Sequence, residues 1–143
     1  MHVASLPNDR KQRQMNDSVS ITLLVDNEAP PGLVAEHGFA AWIDAGDESF
    51  LFDTGQGSAL EPNARTLGID LDRASALVLS HGHYDHTGGV PAFLASNPHA
   101  QILHGRGATI GRLSCHAQQP ARQIGMTGTV REALAQLPLE RCS

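Results

Sequence analysis

The sequence predicts an α/β sandwich with its functional site at the carboxyl end of a buried strand. Three observations predict it. Short β-rich stretches alternate with helical ones closed by glycine. The run Ala74–Leu79 is continuously apolar apart from Ser75, the pattern of a strand covered on both faces. Directly after it stand His81, His83, Asp85 and His86, four ligand-type side chains within six residues. Loops at such a strand end converge on ligands because the scaffold holds them rigidly.

Taken in order, residues 1–17 are polar and non-periodic and read as a disordered tail, with Met15 as an alternative start. Arg10, Lys11 and Arg13 within it read as a solvated cluster. Residues 18–143 form one domain. Ser18–Val25 alternates and is rich in β-formers, so it is a first strand. Asp26–Glu36, with Asn27, Pro30, Pro31 and Gly32, is a loop. Gly38–Ala45 and Ser49–Phe52 form a hairpin turned by Gly46, Asp47 and Glu48. Asp53–Gly57 is a glycine-rich turn leading into a helix over Ala59–Leu67, stopped by Gly68. A helix over Gly89–Ser96 and a short strand Gln101–Leu103 ending at His104 follow the buried strand. The last helix is Thr129–Leu137, with Thr129 as N-cap and Glu132 closing a capping box.

Composition narrows the function classes. A formal charge of −5 argues against non-specific nucleic-acid binding, and no apolar run is long enough for a membrane span. No signal-peptide core is visible, so the expected location is the cytoplasm. Cys115 and Cys142 lack metal-ligand spacing and read as free thiols. The eight histidines are more informative, because three of them fall within the six-residue segment.

His81 and His83 are two apart, so on extended backbone their side chains project to the same side. Asp85 and His86 follow where the chain turns, and project from another direction. Imidazole and carboxylate together suit zinc, with iron or manganese as alternatives. Burying three imidazoles and a carboxylate without an ion would carry a heavy desolvation cost. Gly82 permits a bend between the first two histidines, and Gly88 and Gly89 open the next helix.

His81-x-His83-x-Asp85-His86 after an apolar strand resembles the signature of the metallo-β-lactamase superfamily. The stretch Leu51–Gly55 resembles that superfamily's strand-turn. Val25-Asp26-Asn27, Ala35–Gly38, Asn63-Ala64 and Leu79–Gly89 resemble, more narrowly, a branch of dihydropterin-related ribofuranosylaminobenzene 5′-phosphate synthases and metal-dependent hydrolases. The resemblance implies an αββα sandwich of which this chain is the first half. It implies one or two metal ions on His81, His83, Asp85 and His86. Asp85 would also orient the attacking water, and Asp53 would support a site histidine from behind.

The implied reaction is hydrolysis by a hydroxide generated on the metal. The alternatives are a pterin-related transferase and a non-catalytic metal-binding fragment. Shared between two ions, the segment gives each only two ligands, and His104 is the candidate for a further one. His116 beside Cys115 is next, whereas His37 reads as a solvent-exposed loop histidine. The expected substrate is a small molecule, phosphorylated or pterin-like. Half a sandwich leaves an apolar sheet face open, so a homodimer or a complementing C-terminal half is the expected partner. The same expectation reads the chain as a gene fragment.

Overall fold

The computed structural model describes residues 18–138, 141 and 142; the N-terminal tail expected over 1–17 lies outside them. Five strands form one mixed sheet: β1 (Val19–Val25), β2 (Ala40–Ala45), β3 (Glu48–Phe52), β4 (Ala76–Leu79) and β5 (Gln101–His104), in that spatial order. The β1–β2–β3 meander is antiparallel, and β3–β4–β5 is parallel. Gly46 and Asp47 alone turn the β2–β3 hairpin. Gly46 takes a left-handed φ of 64°, which a side chain would resist.

Side-chain alternation divides the sheet into two unlike faces. Trp42, Leu51, Leu77 and Ile102 lie in register across four strands and are all buried. Against them pack Leu60 and Ala64 of α1 (Leu60–Thr66), Val90 and Phe93 of α3 (Val90–Ser96), and Val130 and Leu134 of α4 (Gly128–Ala135). The opposite face carries the registers Ile21–Ile43–Phe50 and Leu23–Ala41–Phe52–Val78. No described element covers it, and Val19, Ile21 and Leu23 of the edge strand are 63, 64 and 49 % exposed. One mixed sheet with helices on one side is the α/β layer arrangement expected from the sequence.

Two buried amides tie loops to this core. Asn63 on α1 donates to the carbonyls of Leu24 and Val34 and accepts from the Val34 amide. Asn97, after α3, donates to the carbonyls of Leu71, Asp72 and Ala74 around a 3-10 turn at Leu71–Arg73.

One expectation needs correction, and two elements are additions to those expected. The last helix begins at Gly128 and is capped by Thr127, whose hydroxyl accepts from the Val130 amide. Thr129 already lies inside the first turn, so Glu132 is too far along to close a capping box. Thr127→Ala is therefore expected to cost about 1 kcal/mol, read as a lower denaturation midpoint, with Thr129→Ala near neutral. Between His83 and α3 the chain forms an additional helical turn, α2 (Tyr84–Thr87), that carries Asp85 and His86. A small hairpin of β6 (Leu113–Ser114) and β7 (Arg122–Gln123) occupies a stretch that showed no sequence signal.

Candidate metal centre

β4 ends at Leu79, and the next residues run along the carboxyl edge of the sheet. The His81 and His83 rings meet edge to face at 4.4 Å between centroids, and His81 and His86 at 4.2 Å. Three imidazoles therefore share one patch, two delivered by the extended strand exit and one by α2. Gly82 between them has a cause beyond flexibility. A Cβ there would lie 1.7 Å from the Ala108 carbonyl oxygen. Gly88 and Gly89 are explained similarly, because their missing side chains admit the carbonyls of Gln56 and Thr54 at 2.2 and 2.5 Å from an ideal Cβ.

Asp53 sits beneath the imidazoles at the end of β3, 1 % exposed and with a left-handed φ of 58°. Its Oδ2 accepts from His86 Nδ1 at 2.8 Å and from the Ser80 hydroxyl at 2.6 Å. Its Oδ1 accepts from the Ser80 amide at 2.9 Å. The Ser80 hydroxyl also contacts His81 Nδ1 at 2.8 Å. Asp53, His81 and His86 offer ligand atoms all within 4.8 Å of one another, a possible metal site. Because both Asp53 oxygens are already engaged, its carboxylate is better placed to orient His86 than to ligate. The His86 Nδ1 proton is thereby held, and Nε2 is left with its lone pair.

Asp85 lies on the other side of His86. Its Oδ2 is 3.8 Å from His86 Nε2 and 3.3 Å from His37 Nε2. Burial lowers the pKa of His81, and the His86 and His83 rings push the same way against Asp53 and Asp85. The net direction is down, so His81 is neutral at neutral pH, the form a cation needs.

The loop before β2 is anchored by Glu36, which the sequence shows only as part of the Ala35–Gly38 resemblance and without a role. Glu36 is buried and accepts from the amides of Gln56, Gly57, Ser58 and Ala59 and from the Ser58 hydroxyl. It thus caps α1 from a distance, where Ala59 itself offers no side-chain cap. Burial alone would raise its pKa, but the hydrogen bonds from the Ser58 hydroxyl and the amides of Ser58, Gln56 and Gly57 outweigh it and bring the value below 4.5. A depressed carboxylate contributes stability that is present above its unfolded pKa and is lost as pH falls through the folded one. Glu36→Gln is expected to flatten the loss of stability below pH 4.5, measured as urea midpoint against pH.

The family model described as Metallo-beta-lactamase superfamily matches residues 34–123, well over half of the chain. The chain belongs to the metallo-β-lactamase superfamily. A solved superfamily structure, Tm1679, described as a metal-dependent hydrolase, superposes with a TM-score of 0.61 at 30 % identity. That match covers 86 % of this chain and 40 % of Tm1679. The lactamase-like protein adaB of Aspergillus niger is 30 % identical over 87 % of this chain and 39 % of its own length. An uncharacterized protein, MJ0448 of Methanocaldococcus jannaschii, is 44 % identical over 49 % of this chain and 27 % of its own. The chain thus spans two fifths or less of these relatives.

Within this superfamily domain, His104 lies apart from the imidazole patch. Its Nδ1 contacts the Gly105 carbonyl, and it lines a separate cleft with Thr109, Arg131, Leu134 and Cys142. His116 is exposed at the β6–β7 hairpin and contacts Ser114, with Cys115 exposed beside it. That hairpin still borders the site: Ile124 accepts from the Tyr84 amide, and Arg122 donates to the Tyr84 hydroxyl at 3.1 Å. Arg112, also without a sequence signal, lines a small cleft with Ser80, His81, Gly82 and Ala108. No described helix is long and apolar enough to cross a membrane.

Proposed function

We propose that this chain carries metal-binding residues of a metallo-β-lactamase-fold hydrolase, with zinc held by His81, His83, Asp85 and His86. The observation that carries the reading is the support of His86. Its Nδ1 is held at 2.8 Å by a buried carboxylate while its ring packs on His81, which in turn packs on His83. Orienting a ring through Nδ1 serves a group that must present Nε2, and a borderline divalent cation is what such a donor set suits. The residues fit the ion.

When bound, a divalent ion supplies Lewis acidity and lowers the pKa of a water toward neutrality. The protein's own groups do the rest. His81, neutral at neutral pH, contributes a lone pair. Asp53 fixes the His86 tautomer. The Asp85 carboxylate accepts a hydrogen bond from the attacking water and so directs it at a carbonyl or phosphoryl centre. Arg112, beside His81, offers a cation to an anionic substrate group.

The test is metal analysis of the purified chain together with hydrolysis of generic esters and phosphodiesters. Bound zinc with chelator-sensitive hydrolysis is the expected result. A tightly bound ion without turnover would make the chain a metal-binding fragment. Condensation of a pterin-type substrate with no hydrolysis would replace the hydrolase by the synthase of the resembling branch.

A further inference from the structure

We propose that His37 is a metal ligand, joining Asp85 and His86 at a second cation position. The proposal rests on the reading of Asp85 and His86 as ligands. It concerns a residue from the loop before β2, outside the histidine segment.

The geometry begins with the two faces of the His37 ring. Nδ1 is 2.8 Å from the Asn27 side-chain oxygen, whose Nδ2 points toward Asp26. An amide oxygen only accepts, so Nδ1 carries the proton and the neutral ring keeps its lone pair on Nε2. That nitrogen faces Asp85 Oδ2 at 3.3 Å. His86 repeats the arrangement: its Nδ1 is held by Asp53 at 2.8 Å, and its Nε2 faces the same Asp85 oxygen at 3.8 Å. Two imidazole lone pairs turned toward one carboxylate oxygen repel it unless a cation, or a proton on one of the rings, lies among them. Ligand atoms at about 2.0–2.2 Å from a tetrahedral zinc stand roughly 3.3–3.6 Å apart, close to the spacings seen here.

The loop is built against Asp85 just after His37, and is tied to the turn at Gln56 at His37 and before it. Gly38, with φ 143°, would place a Cβ 2.2 Å from the Asp85 carbonyl oxygen, and the Phe39 amide donates to that carbonyl at 3.3 Å. Gln56 Nε2 donates to the His37 carbonyl at 2.6 Å, and the preceding residue, the buried Glu36, accepts from the Gln56 amide. A histidine whose side chain is 65 % exposed has no need of this scaffolding unless its position matters. His37 is not among the residues whose ligand atoms all lie within 4.8 Å. On this proposal the exposed ring turns inward to close the set when the cation binds. A plain ion pair between a protonated His37 and Asp85 is the competing explanation, and it places no donor on a metal.

The experiment strips the full chain with a chelator and titrates it with Co(II), followed by visible and near-ultraviolet absorption. His37→Ala is expected to weaken uptake of one Co(II) by more than about tenfold, with unchanged melting of the metal-free protein. His37→Cys is expected to gain a thiolate-to-cobalt charge-transfer band that wild type and His99→Cys lack. Uptake by His37→Ala within twofold of wild type, with no new band in His37→Cys, would overturn the proposal. If His83→Ala and Asp85→Asn lose uptake while His37→Ala keeps it, only the His37 assignment fails. If wild type binds no Co(II), the reading of the whole segment fails with it.

Discussion

Alanine at position 83 is expected to leave the protein nearly metal-free. His83 stands at one end of the imidazole patch, its ring 4.4 Å from that of the central His81. On the proposed reading of the site, removing it deletes a ligand rather than a supporting contact. The affinity loss in His83→Ala should therefore exceed the roughly 10–100-fold typical of an outer partner. Asp85→Asn should behave alike, because the amide keeps the shape and discards the charge that offsets a dication. His99→Ala is the control: His99 is exposed beyond α3, and its backbone amide contacts Asn97. Elemental analysis of the purified variants decides the matter. Equal metal content in wild type and His83→Ala would place the ligands elsewhere.

The second large effect is expected from a single methyl group. Gly82→Ala would put its Cβ 1.7 Å from the oxygen, 2.6 Å from the carbon and 3.0 Å from the Cα of Ala108. All three obstacles are backbone atoms, so no rotamer change relieves the clash, and the two segments must separate. Overpacking of this kind costs about 3 kcal/mol, measured as the shift of a urea unfolding midpoint. Because Gly82 lies between His81 and His83, the displacement should lower metal affinity as well. Gly128→Ala meets nothing within 4 Å at the start of α4 and is expected to be neutral to mildly stabilising. A Gly82→Ala protein as stable as wild type would mean that Ala108 does not pack against the strand exit.

Much of this architecture is legible in the sequence because it is local. Residues Ala76–Leu79 announce a buried strand by continuous apolarity, and the ligand types after it announce a site by their density. The β2–β3 hairpin follows from Gly46. What stays hidden depends on contacts between distant segments. Glu36 reads as one more loop carboxylate until its amide partners, some twenty residues on, are seen gathered around it. His37 reads as exposed, which it is, yet its neighbours Asn27, Gln56 and Asp85 arrive from two other stretches of loop and from α2. The β6–β7 hairpin has two-residue strands, too short for any periodicity to register. The capping error at α4 is a two-residue shift between two threonines with equal claims in the sequence.

The edge strand β1 has a practical consequence for anyone producing this protein. Seven residues without a single charge present Val19, Ile21 and Leu23 to solvent beside a backbone edge that no other described strand pairs, an invitation to strand-to-strand stacking into inclusion bodies. A lysine gatekeeper in place of Ile21 would block that stacking from the border of the sheet, with β2 and β3 standing between it and the histidines. The exposed border and the proposed metal centre thus lie at different strands of one sheet, and the first is expected to tolerate engineering without disturbing the second.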